Sequence, residues 1–488
     1  MVEAGRLGET HTFSHPFAKE KGETPHFFLF SVATAGRESR KIKEKPERMN
    51  VMNKRILCVL IAMCLLLSLS ACHQTAQPPR ETENNATTGN QTTTNHQTPP
   101  ETTQPQGDGE QEEVRLLTLE KLLRTDYEWA ENLDIALVRS EYSCVTLGQE
   151  DALKYPNLAE ALNQIAAMTE KSMAEEYDNL VVTAGEELKQ NSDSFETYTS
   201  VMNVQVRRGD SLAVSFLWDS FADYGGIEDY RAFHGSNYDT QTGKALALKD
   251  VVREINNDLA LAVQEALTGQ SLTVELYSDT AVEDYFANTP YDGFNWTLDY
   301  TGVTFYFAPG DLCGEGFLTA TVPFDRHPEL FHEKYTVVPE AYTVELPMNL
   351  SFFGETEVGL LPLSISGLYE NERNRYLDFD VSTENGNYRE ECFVSAFHPY
   401  YVRTAEGQFL YLFREDFQEG SRYIDLVVLT LGEDGSVAKA GEGNVSPAWL
   451  GDNKLIVPTD PGKMLLDDGD SGAQKVLFAV GSDGMPQE

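Results

Sequence analysis

The chain has 488 residues, of which 37 are Lys or Arg and 78 are Asp or Glu, so its formal net charge is −41. Nucleic acid is a poor partner, because a polyanion gains nothing by releasing counterions to another polyanion and no basic stretch is large enough to follow a phosphate backbone. Hydrophobic residues make up 41% and aromatic residues 10% of the chain. That is enough for ordinary cores, and the length predicts about two or three domains.

We predict a secretory signal over residues 49–71. Lys54 and Arg55 precede an apolar run from Ile56 to Leu67, and small residues follow the run. A basic start, a short apolar centre and small residues before a cleavage point are the parts of such a signal. The apolar run is shorter than the roughly 20 residues that a spanning helix needs, which argues against the alternative of an uncleaved anchor.

The signal ends in a four-residue motif, Leu69-Ser70-Ala71-Cys72. This motif resembles the lipobox of bacterial lipoproteins, in which the Cys thiol is acylated and the Cys becomes the mature N-terminus. The resemblance implies lipid attachment at Cys72, and two acyl chains hold a protein stably on a membrane. We therefore expect the rest of the chain to lie on the outer face of the bacterial cytoplasmic membrane, anchored by lipid.

Neither segment that flanks the signal has the pattern of a folded domain. Residues 1–48 show no helical or strand period, and we predict that they are mis-assigned upstream sequence, with a short cytoplasmic tail as the alternative. Residues 72–113 are predicted to be a disordered tether, because from position 73 onward they contain no Val, Ile, Leu, Met or aromatic residue. The tether reaches about 35 Å if it is flexible. After cleavage 26 basic and 71 acidic side chains remain, a net charge of −45.

Residues 114–347 mix helical and strand patterns. A helix is predicted to open at Tyr155-Pro156-Asn157, where Asn157 can serve as the N-cap with Glu160 three residues further on. Two more helices are predicted at residues 252–267 and 282–287. Three strands are predicted at residues 296–300, 303–308 and 317–324. Elements mixed in this order predict an α+β domain, an antiparallel sheet covered by helices.

Two alternating runs, residues 198–206 and 212–218, predict a β-hairpin in this domain. Between them Arg208-Gly209-Asp210 is predicted to form the turn. The same tripeptide occurs in ligands of integrins, but three residues are no evidence for that role.

The last part of the chain, residues 348–488, has no helical period. Short alternating runs are separated by turn signals such as Asn385-Gly386 and Asp434-Gly435. This spacing predicts a second, all-β domain, either a sandwich or a propeller-like fragment.

Three stretches of residues 150–335 carry a family resemblance, covering about 40% of the chain. They are Tyr155-Pro156; Tyr224-Gly225-Gly226 with 234–239 and 242–250; and 296–310 with Val322-Pro323. They resemble the RsiV-like extracytoplasmic domain family, which occurs in lysozyme-sensing anti-sigma factors and beside the catalytic domain of peptidoglycan deacetylases. The resemblance implies the α+β fold and an extracytoplasmic setting, and it suggests a lysozyme-type partner.

The candidate binding segment is a loop expected between residues 224 and 238. Its aromatic and glycine residues offer anchors for an extracellular partner. They are Tyr224, Gly225, Gly226, Tyr230, Phe233, His234 and Tyr238. The alternative is that these aromatic side chains pack underneath the loop.

No catalytic or metal-binding set emerges from the other polar residues. His327 and His332 are five residues apart, whereas a zinc pair on a helix is one turn apart. The segment 469–472 resembles the nucleophile region of trypsin-like proteases, but the nearest upstream His leaves no room for the rest of that fold. We expect no metal, no cofactor and no enzymatic activity.

The cysteines are equally uninformative. Cys144, Cys313 and Cys392 follow the acylated residue, so at most one bridge can form and no redox or zinc motif exists. A bridge between Cys144 and Cys313 and three buried thiols both remain open.

These observations predict a lipid-anchored binding or sensing lipoprotein of the cell envelope. A cationic muramidase or a wall component is the expected class of ligand, since the exported body is strongly acidic. Two alternatives stay open. One is an envelope hydrolase that uses dispersed carboxylates, and the other is a non-catalytic scaffold for the β-domain.

Overall fold

The computed structural model describes residues 114–131, 135–225, 228–270, 275–348, 350–356, 359–370, 375–418, 421–451, 453–469 and 474–488. All of them belong to one compact unit, Cys58–Glu488. The predicted signal, the lipid attachment site Cys72, the tether and residues 1–48 lie outside the described residues.

A six-stranded sheet forms the centre of the described fold. In spatial order its strands are β19 (Lys454–Val457), β1 (Leu119–Trp129), β2 (Ala136–Leu147), β3 (Tyr198–Gly209), β4 (Ala213–Tyr224) and β5 (Glu228–Asp239). We predicted an antiparallel sheet, but β2 and β3 run parallel. A parallel pair needs a long crossover, and a 35-residue helix between the two strands provides it.

The described helices are α1 (Gln149–Lys154), α2 (Pro156–Gln190), α3 (Leu248–Val251), α4 (Asn257–Thr268), α5 (Ala281–Asn288) and α6 (Glu333–Thr336). Helix α2 packs against one face of the central sheet, where Leu158 and Leu162 share a core with Val204 and Phe216. A sheet covered by a helix is therefore present, as predicted.

Two predicted helix starts differ from the structure. Helix α2 has Tyr155 at its N-cap and no side-chain cap, so Asn157 lies in the first turn. Pro156 fixes this start, because its φ suits a helix and its missing N–H needs no partner there. Helix α4 begins after Asn256, whose side chain accepts hydrogen bonds from two backbone N–H groups of the first turn. Val252, the predicted start, instead forms a β-bridge.

The hairpin of β3 and β4 is present, but its turn is shifted. Gly209 is the last residue of β3, and Asp210 Oδ1 accepts the backbone N–H of Leu212 at 2.7 Å to close the turn. Arg208 and Asp210 are completely buried and form an ion pair at 2.7 Å. The tripeptide of residues 208–210 is thus internal, which excludes its presentation to an integrin.

The remaining strands form four further sheets. A three-stranded sheet consists of β6 (Trp296–Leu298), β7 (Gly302–Phe307) and β8 (Leu318–Pro323). A four-stranded sheet consists of β10 (Ser351–Thr356), β11 (Gly359–Glu370), β12 (Arg375–Thr383) and β13 (Asn387–Val394). A five-stranded sheet consists of β17 (Val437–Gly443), β16 (Ser421–Leu431), β15 (Gln408–Gln418), β14 (Ala396–Arg403) and β9 (Tyr342–Glu345). The last sheet consists of β18 (Val445–Pro447), β20 (Met464–Asp468), β21 (Gln474–Val480) and β22 (Pro486–Gln487). The fold is mostly β, and none of the sheets is closed in the described part of the chain.

Strand pairing crosses the predicted boundary between residues 347 and 348. Strand β19 pairs with β1, and β9 pairs with β14. The buried pair Lys121 and Glu345, 2.8 Å apart, joins β1 to β9. The sheet of β10 to β13 and the sheet that contains β15 also share one apolar core, which includes Phe379 and Leu412. The β-rich region is therefore built into the central sheet on one side.

Candidate functional site

The predicted binding loop is a β-hairpin in the structure. Tyr224 ends β4, and Gly225 follows it with a φ of 97°, a left-handed conformation that glycine adopts without strain. Gly226 lies outside the described residues. Tyr230, half-buried, and the residues from Phe233 to Tyr238 belong to β5.

The predicted aromatic anchors do not converge, because side chains alternate across a strand. Phe233 is buried on the face away from helix α2 and packs edge-on against Phe317, with ring centroids 4.9 Å apart. Tyr238 is buried on the helix side beside Phe216, and burial raises its pKa to about 12. His234 is exposed. The aromatic side chains of β5 therefore pack on the two faces of the hairpin and do not form one binding surface.

Tyr224 is part of a polar contact below helix α2. Its hydroxyl donates to the carboxyl group of Glu176 at 3.3 Å, and Ser200 donates to the same oxygen at 2.8 Å. The Tyr224 ring also lies against Tyr198, with centroids 5.5 Å apart. Burial raises the pKa of Glu176, while the two hydroxyl donors partly oppose that rise. This contact fastens the helix to the sheet.

The rest of the predicted segment joins β5 to the three-stranded sheet. A Cβ on Gly235 would lie 1.8 Å from the carbonyl oxygen of Trp296, so only glycine fits there. Asn237 accepts from Ser215 at 2.6 Å and from the N–H of Leu298 at 2.9 Å. This packing explains why Gly235 and Asn237 occupy their positions in the segment.

A different surface has the features of a binding site: the sheet face away from helix α2. Along β3 every second residue from Tyr198 to Val206 is buried under the helix, while the intervening residues remain partly exposed. Leu217 and Phe233 also belong to this face and are buried, but many of its residues are partly or fully exposed. They are Thr125, Tyr127, Trp129, Arg139, Glu141, Thr199, Val201, Asn203, Gln205, Asp219, Phe221, Asp223 and Arg231. We call this surface the open face.

An aromatic pair marks the β1 end of the open face. Tyr127 and Trp129 are 42% and 54% exposed and stack on each other, with ring centroids 6.0 Å apart and planes 27° apart. Large aromatic side chains left in water on a soluble domain are a recognised sign of a binding surface. From β1 to β5 the face spans four strand spacings, or about 19 Å.

Four of the five charged side chains on the open face form two ion pairs. Arg139 Nε donates to Glu141 Oε1 at 2.7 Å, and Arg231 donates to Asp219 Oδ2 at 3.1 Å. Burial raises the pKa of Asp219, although the charge of Arg231 opposes that rise. The face thus combines stacked rings with almost neutral polar groups, in contrast to the strongly acidic chain as a whole.

Sequence reasoning missed this surface. The alternation in residues 198–206 predicted one buried face of β3, but it carried no information on whether the other face is covered. The pair Tyr127 and Trp129, two residues apart in a strand otherwise rich in polar side chains, was the one available signal.

The groups considered for chemistry remain dispersed. His398 Nε2 lies 2.8 Å from Glu415 Oε2, and His327 is 3.9 Å from Glu265. Residues 470–473, including Ser471, fall outside the described part of the chain. Within that part no group of three or more His, Cys, Asp or Glu is placed to hold a metal ion.

The three thiols are free and buried. Burial raises the pKa of Cys144 to about 12 and that of Cys392 to about 11. Because the thiolate is the reactive form, these groups are poor nucleophiles at neutral pH. The structure therefore favours buried thiols over a bridge between Cys144 and Cys313.

No family profile matches the sequence, and no curated protein matches it. It is similar to solved structures of the DUF3298 family. One, from Bacteroides fragilis, has 16% identity and a TM-score of 0.32, and the match covers 45% of this chain and 96% of that one. Another, from Pseudomonas aeruginosa, has 17% identity and a TM-score of 0.30 with the same coverage.

In the segments that the structure describes, every helix is too short or too polar to cross a membrane.

Proposed function

We propose that this chain is a lipid-anchored binding lipoprotein of the cell envelope that takes a wall saccharide on its open face and catalyses no reaction. The observation that carries the proposal is the exposed, stacked pair of Tyr127 and Trp129 on an otherwise partly exposed sheet face. Rigid aromatic rings bind the apolar faces of ring-shaped ligands with little loss of conformational freedom.

The charges of the open face favour a neutral ligand over an ionic one. Arg139 with Glu141 and Arg231 with Asp219 form internal ion pairs, so neither cation is free to draw an anion. Polar side chains such as Asn203 are interspersed with apolar ones such as Val201 and Phe221. Binding sites for small ligands combine apolar contact with a few placed polar groups in this way.

The setting supports the same proposal. Acylation at Cys72 and a tether over residues 72–113 would hold the open face in the space between membrane and wall. The RsiV-like resemblance, known from proteins that act at peptidoglycan, agrees with that location.

Sedimentation with purified peptidoglycan sacculi tests the proposal. The wild-type protein is expected to pellet with sacculi, and Trp129→Ala is expected to lose at least tenfold in affinity because it removes half of the stacked pair. Tyr291→Ala is the control, since Tyr291 is 72% exposed but lies outside the open face. Failure of the wild-type protein to pellet, or equal loss in both variants, would overturn the proposal.

A second candidate partner, a cationic muramidase, rests on the net charge of −45 after cleavage. Such a charge draws cationic proteins at low salt. Binding of purified lysozyme at low and at physiological salt would support this partner, and no binding at either salt concentration would exclude it. Because four of the five charged side chains of the open face are paired, we expect Trp129→Ala to leave any lysozyme binding unchanged.

A further inference from the structure

The ion pair of Arg231 and Asp219, at the β5 end of the open face, has one of the two hydrogen bonds that such a pair can form. One terminal nitrogen of Arg231 lies 3.1 Å from Asp219 Oδ2. Arg231 Nε and Asp219 Oδ1 are both buried, yet neither has a hydrogen-bond partner among the described residues. An unsatisfied buried polar atom is destabilising, so each such atom in a native fold calls for an explanation.

Two other ion pairs in the same protein are closed, in the sense that both carboxylate oxygens accept a hydrogen bond from the arginine. Arg207 donates to both carboxylate oxygens of Asp299, at 3.2 and 2.7 Å. Arg414 likewise donates to both oxygens of Asp425, at 2.8 and 2.6 Å. Two parallel bonds are the preferred geometry of an arginine and a carboxylate. The pair of Arg231 and Asp219 lacks the second bond that these two pairs have.

A third unpaired atom lies close to the open pair. Gln205 Oε1 is buried and has no hydrogen-bond partner in the described residues. Asn203 is directly opposite Asp219 in the sheet. Gln205 lies two residues further along β3 and is therefore the diagonal neighbour of Asp219, a position about 7–8 Å away. The three unmet atoms thus lie on three consecutive strands of the sheet, β3, β4 and β5.

The unmet atoms specify the chemistry of a ligand. Arg231 Nε needs an acceptor, while Asp219 Oδ1 and Gln205 Oε1 each need a donor. A hydroxyl group accepts one hydrogen bond and donates another, so a single hydroxyl satisfies both unpaired atoms of the ion pair. An anion is repelled by Asp219 and a cation by Arg231, which leaves a neutral ligand.

We infer that Arg231, Asp219 and Gln205 form a subsite for two hydroxyl groups of a neutral sugar unit, at the opposite end of the open face from Tyr127 and Trp129. The side chains of Arg231 and Asp219 are 23% and 17% exposed, so they border solvent although their unpaired atoms are buried. Rotation about the soft terminal torsion of a carboxylate or an amide turns the unpaired oxygen outward. This inference rests on the proposed function and names the ligand group that the site takes.

Titration calorimetry with a neutral probe, tetra-N-acetylglucosamine, tests the subsite in the purified full-length protein. Gln205→Leu removes one acceptor at nearly constant volume, and Arg231→Lys keeps the charge but removes the Nε–H. Each variant is expected to bind the probe about tenfold more weakly, the effect of one lost hydrogen bond. Gln264→Leu on helix α4 and Arg414→Lys in a closed pair are the matched controls, with unchanged affinity.

Thermal unfolding of the same variants separates a binding site from a water-filled defect. Gln205→Leu is expected to raise the melting temperature, since it removes an unmet buried atom, and also to weaken binding. A higher melting temperature with unchanged affinity would show that water alone serves these atoms and would overturn the inference. Wild-type protein that binds sacculi but not the probe would also overturn it while leaving the proposed function standing. Wild-type protein that binds neither would overturn both.

Discussion

The buried pair of Arg207 and Asp299 should be among the most sensitive points of the fold. The two side chains are 2% and 3% exposed. Asp299 accepts two hydrogen bonds from Arg207 and one each from Thr297 and Thr304, at 2.9 and 2.8 Å. The pair lies where β3 meets the three-stranded sheet, and Arg207 also donates to the carbonyl oxygen of Glu345 at 2.8 Å.

Replacement of Asp299 by Ala would leave the guanidinium of Arg207 buried with one remaining protein acceptor. The loss of one partner of a buried pair costs about 3–5 kcal/mol, because the other charge stays desolvated. The two threonines add little to this cost, since Thr297 still contacts Tyr306 at 2.9 Å and Thr304 still contacts Thr321 at 2.7 Å. We therefore expect Asp299→Ala to lower the free energy of unfolding by about 3–5 kcal/mol.

Equilibrium unfolding in urea measures this change. The double variant Arg207→Met with Asp299→Leu is the comparison, and we expect it to lose less stability than Asp299→Ala, because no buried charge is left alone. The reasoning is refuted if Asp299→Ala costs less than about 1 kcal/mol, the usual value for an exposed pair. It is also refuted if the double variant is less stable than the single one.

Two further variants test the packing around the central sheet. Burial raises the pKa of Glu176 above its ordinary value, so its contribution to stability is complete below that value and is lost as pH rises through the raised pKa. Glu176→Gln should therefore melt above the wild type at pH 7, with the difference vanishing toward pH 4, and a constant difference would contradict this. Gly235→Ala should cost about 3 kcal/mol or more in urea unfolding, because its Cβ would meet backbone 1.8 Å away. Gly314→Ala, with no atom within 4 Å of the added carbon, is the control and should be nearly neutral.

The elements that the sequence predicted well are those with a strong local period. The hairpin of β3 and β4 and the short helix α5 follow directly from the spacing of their apolar residues. Helix starts were less accurate, since Pro156 and Asn256 set the starts of α2 and α4 at positions that differ from the predicted ones. Local patterns thus fixed the type of element better than its ends.

Long-range pairing was beyond sequence reasoning. Strand β19 pairs with β1 across more than 300 residues. The residue pattern of neither strand identifies the other as its partner. The candidate binding segment shows a related limit. The residues from Tyr224 to Tyr238 were chosen for their composition, but alternation along β5 sends Phe233 and Tyr238 to opposite faces. The composition of a segment does not show which of its side chains share a surface.

The pairing between the two halves bears on the hypothesis that the first region is only a scaffold for the β-rich one. Removal of residues 348–488 would take away β19 and leave β1 as an unpaired edge, and it would also strip β9 of its partner β14. An exposed strand edge favours aggregation. The buried pair of Lys121 and Glu345 would lose the hydroxyl of Tyr400, which now donates to Glu345 at 3.2 Å. Loss of binding after such a truncation would therefore report misfolding, and single substitutions on the open face are the sharper way to assign function to either region.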